Sequence, residues 1–295
     1  AGDRSLMIIG CTGNYRKEKY FTILERVNTI LAKSDVEFFI SDDLKKNKDF
    51  QIPASYSLID FASMAKQSDI LLSIGGDGTI LSTVRRMGKN QIPIMGIHIG
   101  GLGFLSECTE SNLKNSIHYI LRDEYSISER MLLEVRIQSN GKEEIYWSMN
   151  DVVVDHGPSA RILMTEVHVS EHYLNTYEGD GLIISTPTGS TAYSLSAGGP
   201  IIYHAMDTIT VTPICPHSLS ARPIVLQSNE NISLRFLDPF DGMALAVDGQ
   251  IRIEIDDHVL VTITRADHSA KLAHLPSNGY FKMLRTKMGW AGNVR

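Results

Sequence analysis

Cysteine is scarce in this chain, and its positions exclude several kinds of site. Cys11, Cys108 and Cys215 are the only three, an odd number, and they lie far apart with no spacing typical of metal ligands. Such usage is typical of proteins in a reducing compartment. We therefore expect three buried thiols rather than disulfides or a cysteine metal site.

Long apolar runs are also missing. No stretch approaches the ~18 uninterrupted apolar residues of a membrane-spanning helix, and the first residues have no signal-peptide core. These absences predict a soluble cytoplasmic protein with no membrane partner.

An excess of positive charge is absent as well. The chain has 28 Lys and Arg against 34 Asp and Glu, a formal net charge of −6. A general nucleic-acid binder needs a broad basic face, so nucleic acid is not an expected partner. Any phosphate chemistry must instead use local backbone amides and a few well-placed cations.

What the chain does have is enough apolar residues for a large core. Its 295 residues are 43% hydrophobic, and the usual domain of ~100–200 residues suggests two domains. Residues 1–125 alternate between strand and helix patterns, which predicts an α/β nucleotide-binding domain. Its strands are predicted at 6–9, 36–40, 70–74 and 93–97, and its helices at 17–33, 60–66 and 80–87.

A different pattern begins after residue 125. Short alternating or β-branched runs predict an all-β sandwich over residues 126–270. The predicted strands are 132–137, 144–148, 151–154, 166–170, 182–185, 209–212, 232–236, 243–247, 251–255 and 259–264. The last segment, 271–295, contains a helical or irregular stretch at 278–290 and is a candidate to return to the first domain.

A glycine-rich turn, Gly75-Gly76-Asp77-Gly78-Thr79, follows the predicted strand 70–74 directly. Glycines let the backbone approach a ligand closely and point N–H groups at phosphate oxygens. Asp77 could accept a proton from an attacking hydroxyl or hold a divalent cation, or it could only cap the next helix. Leu81 replaces the third glycine of a dinucleotide fingerprint and no G-K-[ST] occurs, so a dehydrogenase and a P-loop nucleotidase are disfavoured.

Two polar segments could bind a nucleoside. Residues 180–200 pass from a strand into a long run of small hydroxyl residues and glycines, with Tyr193 available to stack or hydrogen-bond. The alternative is a serine- and threonine-rich surface turn. Asn150-Asp151 could read an adenine edge and hold a ribose hydroxyl, although such a pair is more often a turn at a strand edge.

Together these motifs resemble those of the NAD kinase family. Gly75 to Thr79 match its glycine-aspartate motif, which diacylglycerol and sphingosine kinases share, and Asn150-Asp151 match its asparagine-acid pair. The segment 180–200 matches its longest and most specific motif. Further matching stretches are 102–105, 216–223, 248–250 and 287–290.

The resemblance implies an α/β nucleotide domain joined to a β-sandwich. Members of the family transfer the γ-phosphoryl of ATP, with a divalent metal such as Mg²⁺, to the 2′-hydroxyl of the adenosine ribose of NAD. Asp77 would then be the catalytic proton acceptor, and NAD and ATP the small-molecule substrates. The resemblance also implies a homodimer or homotetramer.

Matching by motif gives a set of expected ligand-binding residues. They are Gly75, Gly76, Gly78, Thr79, Asn150, Asp151, Arg161, Glu178, Asp180, Thr191, Ala192, Tyr193, Ser194, Leu195, Ser196 and Gln250. The histidines show no spacing that indicates a metal site made by the protein alone, so none is assigned.

The chain departs from the family pattern at two positions. His98 stands where the family usually has asparagine, and Glu178 where a basic residue is common. Because an acid near a dianionic substrate is repelled, we hypothesise that Glu178 alters the choice between NAD, NADH and NADP. Two alternative functions remain open at this point: a lipid kinase of the diacylglycerol type, and a non-catalytic regulator that binds NAD(P).

Overall fold

The computed structural model describes residues 6–101, 103–159, 161–255, 259–276 and 279–290. The chain divides into two compact units, one made of Ala1–Glu129 with Lys271–Arg295 and the other of Arg130–Ala270. The helices are α1 (Glu18–Leu31), α2 (Phe61–Gln67), α3 (Asp77–Met87), α4 (Leu113–Leu121), α5 (Tyr193–Ser196) and α6 (Tyr280–Met288).

The strands are, in chain order, β1 (Met7–Gly13), β2 (Val36–Ser41), β3 (Leu58–Ile59), β4 (Ile70–Gly75), β5 (Ile94–His98), β6 (Cys108–Thr109), β7 (Ser126–Ser139), β8 (Lys142–Ser148), β9 (Asp151–Asp155), β10 (Leu163–Val169), β11 (His172–Gly179), β12 (Gly181–Ser185), β13 (Thr208–Ile214), β14 (Ile224–Gln227), β15 (Ile232–Leu237), β16 (Ala244–Val247), β17 (Ile251–Glu254) and β18 (Leu260–His274). Short 3₁₀ turns occur at Asp42–Lys46 and Gly189–Thr191.

The first unit is built on a parallel sheet with strand order β3-β2-β1-β4-β5. The last residues of β18 continue this sheet, because Leu272 pairs with Ile94 of β5 in parallel. All six residues of β4 are buried, as expected for a central strand covered on both faces. The carboxyl ends of the parallel strands therefore lie along one edge of the sheet.

Helices cover both faces of this sheet. Leu72 and Ile74 of β4 belong to a buried cluster that also contains Leu24 of α1 and Ile117 of α4. Ser73, which lies between them, points the opposite way and contacts Thr83 of α3 through hydroxyls 3.1 Å apart. Since successive strand residues face opposite sides, α3 lies on the face opposite α1 and α4.

The second unit contains antiparallel strands in two layers. One layer has the order β11-β10-β15-β18, with β7 and β8 forming a hairpin, and the other has the order β14-β13-β12-β9-β16-β17. Residues of both layers share one buried cluster, for example Leu234 and Val261 from the first and Val154 and Leu182 from the second. The predicted fold class, an α/β domain followed by an all-β sandwich, is thus confirmed.

Some helices and strands of the structure were not predicted from the sequence. Leu113, Ile117 and Ile120 are buried at helical spacing in α4, so a signal for this helix was present and was missed. The edge strands β11 and β14 have few buried residues and hence no clear apolar alternation. β18 extends to His274, ten residues beyond the predicted end at 264, because pairing continues through a polar stretch.

One expectation about the cysteines is wrong. Cys11 and Cys108 are buried, but Cys215 is exposed. Cys215 lies in the turn after β13 with φ +44°, and such turns run over the surface of a domain.

The shared core of the second unit gives a test of its packing. Leu234 is fully buried and Leu219 is 92% exposed. We expect Leu234→Ala to lower the free energy of unfolding by about 2–5 kcal/mol, because it removes buried methyl groups and leaves a cavity. The matched change Leu219→Ala should alter it by less than ~0.5 kcal/mol. Urea denaturation followed by circular dichroism measures both, and equal losses would contradict the assigned core.

Candidate functional site

The glycine-rich turn lies where a parallel strand meets a helix. Gly75 ends β4, and Gly76 precedes the first residue of α3. The Gly76 carbonyl accepts from the Thr79 N–H at 2.9 Å, and the Thr79 hydroxyl accepts from the Gly76 N–H at 3.4 Å. A Cβ atom on Gly75 would overlap the Thr79 side chain. The turn is therefore tight, and it places the start of α3 at the carboxyl edge of the sheet, where open α/β sheets bind ligands.

The Asp77 carboxylate does not cap its own helix. It accepts hydrogen bonds from the Phe104 N–H at 2.7 Å, the Leu105 N–H at 3.3 Å and the Ser106 hydroxyl at 3.2 Å. A Cβ on Gly103 would overlap this carboxylate, so glycine is required there. Leu102, from the same predicted motif, lies outside the described residues. Three donors from a neighbouring loop thus hold a half-buried carboxylate in one orientation.

His98 stands beside this turn at the end of β5, in register with Gly75. Its Nε2 is 3.6 Å from the place that a Cβ on Gly76 would occupy. Burial lowers the pKa of His98, and the positive charges of Lys287 and Lys17 lower it further, while Asp77 acts in the opposite direction. The lowered pKa favours the neutral imidazole of His98 at neutral pH, a form that can both donate and accept a hydrogen bond.

In the second unit, Asn150 lies in the turn between β8 and β9, and Asp151 is the first residue of β9. Asp151 is only 5% exposed, and its carboxylate accepts a hydrogen bond from the main-chain N–H of Tyr193. Burial, followed by the charge of Asp248, raises the pKa of Asp151 to about 7, although the bond from Tyr193 acts in the opposite direction. The contact joins the asparagine-acid pair to the long polar segment.

Asp248 is a buried acid in the matching stretch 248–250, from which only Gln250 was expected to bind the ligand. Asp248 and Gly249 form the turn between β16 and β17 with φ values of +50° and +62°. The Asp248 carboxylate accepts hydrogen bonds from Ser148 Oγ at 2.7 Å and from the N–H groups of Met149 and Asn150 at 3.1 and 2.8 Å. An Asp-Gly pair between two strand patterns is a recognised hairpin signal, but it does not predict where the carboxylate points.

The polar segment after β12 is more than a surface turn. Ser190 is fully buried, and its hydroxyl donates to the Pro187 carbonyl at 2.6 Å and accepts from the Ile202 N–H at 3.0 Å. Ser194 is also fully buried, and its hydroxyl lies 3.0 Å from that of Thr212 on β13. The Ser194 side chain thus faces the sheet, so any contact between Ser194 and a ligand would use its main chain.

Other residues of the segment are more accessible. Tyr193 is 46% exposed and Ser196 is exposed, while Ala192 and Leu195 are half-buried. The Thr191 hydroxyl donates to the Thr188 carbonyl at 3.2 Å. Tyr193 and Ser196 are the side chains of this segment most open to a ligand.

Acidic side chains surround Tyr193. Burial, followed by the charges of Asp155, Cys215 and Asp180, raises the pKa of Tyr193. Asp180 is exposed, with Oδ1 3.9 Å from His156 Nε2, and its hydrogen bond with Cys215 raises the pKa of that thiol. Asp151 and Asp180, which belong to two different predicted motifs, therefore both lie near Tyr193.

Three other predicted residues occupy separate positions. Glu178 is exposed near the end of β11, and its carbonyl accepts from the His217 N–H at 2.9 Å. Arg161 extends over the Phe240 ring, 4.8 Å from its centroid, and pairs with Asp238 at 3.5 Å. Gln250 is exposed, and its N–H donates to the Val247 carbonyl at 3.0 Å.

Neither a protein-only metal site nor a membrane helix is found in the part of the chain that the structure describes. Within these ranges, no three or more His, Cys, Asp or Glu residues are grouped closely enough to bind an ion. No described helix combines the length and apolarity that crossing a membrane requires.

Two family models match this chain. The ATP-NAD kinase N-terminal domain matches residues 8–125 and the ATP-NAD kinase C-terminal domain matches residues 149–275. The NAD kinase of Geotalea daltonii is 42% identical over 226 residues, which cover 76% of this chain and 80% of that protein. The NAD kinase of Geobacter sulfurreducens is 44% identical over 224 residues, which cover 76% and 79%.

Solved structures resemble the fold. Yeast NADH kinase complexed with NADH superposes with a TM-score of 0.88 at 24% identity, covering 98% of this chain and 89% of that one. An NAD kinase from Archaeoglobus fulgidus in complex with ATP gives a TM-score of 0.73 at 21% identity, covering 97% and 100%.

The buried acid Asp151 predicts a dependence of stability on pH. Its ordinary pKa of 3.8 rises to about 7 on folding, so between these values the folded state keeps a proton that the unfolded chain releases. The free energy of unfolding should therefore fall as the pH rises from about 4 to 7. Asp151→Asn imitates the protonated acid and should match the wild type near pH 4 but exceed its stability above pH 7, by on the order of a few kcal/mol.

Urea denaturation at a series of pH values measures this difference. Asp241→Asn, at an exposed acid between β15 and β16, is the matched control. It keeps Asp151, so its stability should follow the wild-type pH profile, with a difference from the wild type that does not grow with pH. Parallel pH profiles for the wild type and Asp151→Asn would contradict the burial of a protonated Asp151.

Proposed function

The chain belongs to the ATP-NAD kinase family and is an ATP-dependent NAD kinase, and we propose the roles that its residues take in the reaction. The γ-phosphoryl of ATP passes to the 2′-hydroxyl of the adenosine ribose of NAD. Asp77 accepts the proton of that hydroxyl. The observation that carries this assignment is the carboxylate of Asp77, held by three donors beside a glycine turn at the carboxyl edge of the sheet.

Phosphoryl transfer depends on positioning and charge neutralisation more than on covalent chemistry by the protein. The N-terminus of α3 directs N–H groups and the positive end of its dipole toward this edge, which favours a phosphate. Gly75, Gly76, Gly78 and Thr79 provide the close backbone approach. The carboxylate of Asp77 is already oriented before substrate binds, so only the ribose hydroxyl has to be placed correctly.

We assign the recognition of NAD to the polar cluster of the second unit. Asn150 offers an amide that can donate to and accept from an adenine edge, and Tyr193 offers a partly exposed ring for stacking. Asp180 is an exposed acceptor suited to a hydroxyl. Asp151 acts mainly by holding the Tyr193 main chain, and Arg161, Glu178, Thr191, Ala192, Ser194, Leu195, Ser196 and Gln250 remain predicted contacts.

A divalent cation fits this site if it enters bound to the phosphates of ATP. The described residues offer no cluster of three or more candidate ligands, and Mg²⁺ usually keeps several waters while binding through one or two carboxylates and substrate phosphates. Asp77 is the carboxylate at the glycine turn that could join such a set. The ion would supply neutralisation of the phosphate charge.

The lipid-kinase alternative rested on the shared glycine motif, and the family models instead match ATP-NAD kinase domains on both sides of residue 125. An endpoint assay for NADP, with NAD or NADH as acceptor and ATP, GTP or polyphosphate as donor, tests the function and its donor range. Saturable binding of NAD with no NADP formed would favour the non-catalytic regulator. A cytoplasmic location and a homodimer or homotetramer stay predictions.

Replacing the proposed proton acceptor gives a direct test. Asp77→Asn should lower kcat by at least about 100-fold, because general base catalysis contributes ~10²–10⁴-fold, while binding of NAD remains measurable by calorimetry. The matched control is Asp60→Asn, at an acid that caps α2 by accepting from the Ser63 N–H at 2.9 Å. It should leave kcat near the wild-type value, and turnover retained by Asp77→Asn would refute the assignment.

Glu178 gives a second test, on substrate preference. Reversing its charge in Glu178→Arg removes repulsion of the dinucleotide phosphates, which NAD and NADH share, and adds repulsion of the positive nicotinamide ring, which only NAD has. We therefore expect the KM for NADH to fall severalfold and the KM for NAD to fall less. Steady-state kcat/KM for both redox forms measures this. The control is Glu254→Arg, at an exposed acid of β17, and identical preference ratios for wild type and Glu178→Arg would rule out the hypothesis.

A further inference from the structure

Met149 and Asn150 form a turn with four main-chain polar groups. All four are hydrogen-bonded to two other residues, Asp248 and Thr186. The two N–H groups of the turn donate to the carboxylate of Asp248 at 3.1 and 2.8 Å. Its two carbonyls accept from Thr186, that of Met149 from the hydroxyl at 2.6 Å and that of Asn150 from the main-chain N–H at 2.9 Å. Asp248 and Thr186 therefore grip the turn from opposite sides, and we call this arrangement the Asn150 clamp.

The Asp248 half of the clamp is buried and charge-assisted. Asp248 is 8% exposed, and Ser148 Oγ donates to it in addition to the two N–H groups. Hydrogen bonds from N–H groups to an ionised carboxylate are stronger than those between neutral groups. The three hydrogen bonds offset much of the free energy that burying this carboxylate costs.

In the Thr186 half of the clamp, one hydroxyl both donates and accepts a hydrogen bond. Thr186 is fully buried, and its Oγ1 donates to the Met149 carbonyl while accepting from the Gly189 N–H at 3.0 Å. A Cβ on Gly189 would overlap the Asn150 carbonyl, so the segment after Thr186 also lies directly against the turn. The Asn150 backbone is therefore closely packed on this side.

The side chain of Asn150 differs from its backbone in hydrogen bonding. Asn150 is half-buried, and no hydrogen bond to its side-chain amide is found among the described residues. We propose that Thr186 and Asp248 are positioning residues that fix the Asn150 backbone, so that its amide is presented to the dinucleotide in one orientation. The proposal rests on the assignment of Asn150 to NAD recognition made above. Fixing a contact group before binding raises affinity by reducing the ordering cost of the complex.

A matched pair at one position tests the clamp. Thr186→Val keeps the shape and the main-chain N–H but removes the hydroxyl, leaving the Met149 carbonyl and the Gly189 N–H without that partner. Loss of a buried hydrogen bond typically corresponds to about tenfold in an equilibrium constant, so we expect the KM for NAD to rise about tenfold with the KM for ATP unchanged. Thr186→Ser restores the hydroxyl and should restore the KM for NAD.

Calorimetric binding of NAD without ATP and thermal unfolding accompany the kinetics. If Thr186→Val fails to fold, Asp248→Asn replaces it, because it puts an amide N–H₂ in place of one acceptor oxygen and should raise the KM for NAD in the same selective way. Equal increases in the KM for NAD and for ATP, or a Thr186→Ser variant as defective as Thr186→Val, would reduce both residues to a general role in stability and overturn the proposal.

Asn150→Ala separates this inference from the proposed function. If Asn150→Ala weakens NAD binding but Thr186→Val does not, the clamp is refuted while the kinase assignment stands. An Asn150→Ala variant with unchanged NAD affinity would overturn the clamp by removing the group that it is proposed to position. Absence of NADP formation by the wild type would instead refute the function itself.

Discussion

Main-chain polar groups that are buried away from water need hydrogen-bond partners. In this protein carboxylates supply them at the two places where the turns that we propose to bind ligands meet a second segment. Asp77 accepts the N–H groups of Phe104 and Leu105, and Asp248 accepts those of Met149 and Asn150. In each unit an acid on one turn thus determines the conformation of another. Without these acceptors, the N–H groups would have to be satisfied by water or by a different loop conformation.

Three acids of similar chemistry have different roles because their surroundings differ. Asp77 is half-buried and held by three donors, so its orientation is fixed while it remains within reach of solvent. Asp248 receives three donors inside the second unit, so its carboxylate is fixed against the turn that follows β8. Asp151 is buried with a bond from Tyr193 and the charge of Asp248 nearby, so it holds a proton more readily. Burial and the number of donors, not residue type, separate these roles.

In the proposed reaction, the two units contribute different features to phosphoryl transfer. The first provides a helix N-terminus and a fixed carboxylate beside glycines, which suit the phosphates and the reacting hydroxyl. The second provides an antiparallel framework in which Asn150 and Asp180 lie between strands and Tyr193 begins the short helix α5. Binding groups on short, well-bonded turns of a rigid framework keep their positions better than groups on long loops.

The sequence by itself determined the fold class, the glycine-aspartate turn after β4 and the family to which the chain belongs, because apolar periodicity and short motifs are local properties. The sequence patterns did not lead to a prediction of α4, although Leu113, Ile117 and Ile120 have helical apolar spacing. They also predicted a buried thiol at Cys215, which is exposed. Only the tertiary structure showed that Ser194 faces Thr212 and that Asp248 and Thr186 enclose Asn150. Those partners lie 18, 98 and 36 residues apart, and contacts across such distances are decided by strand pairing and packing, which no local pattern records.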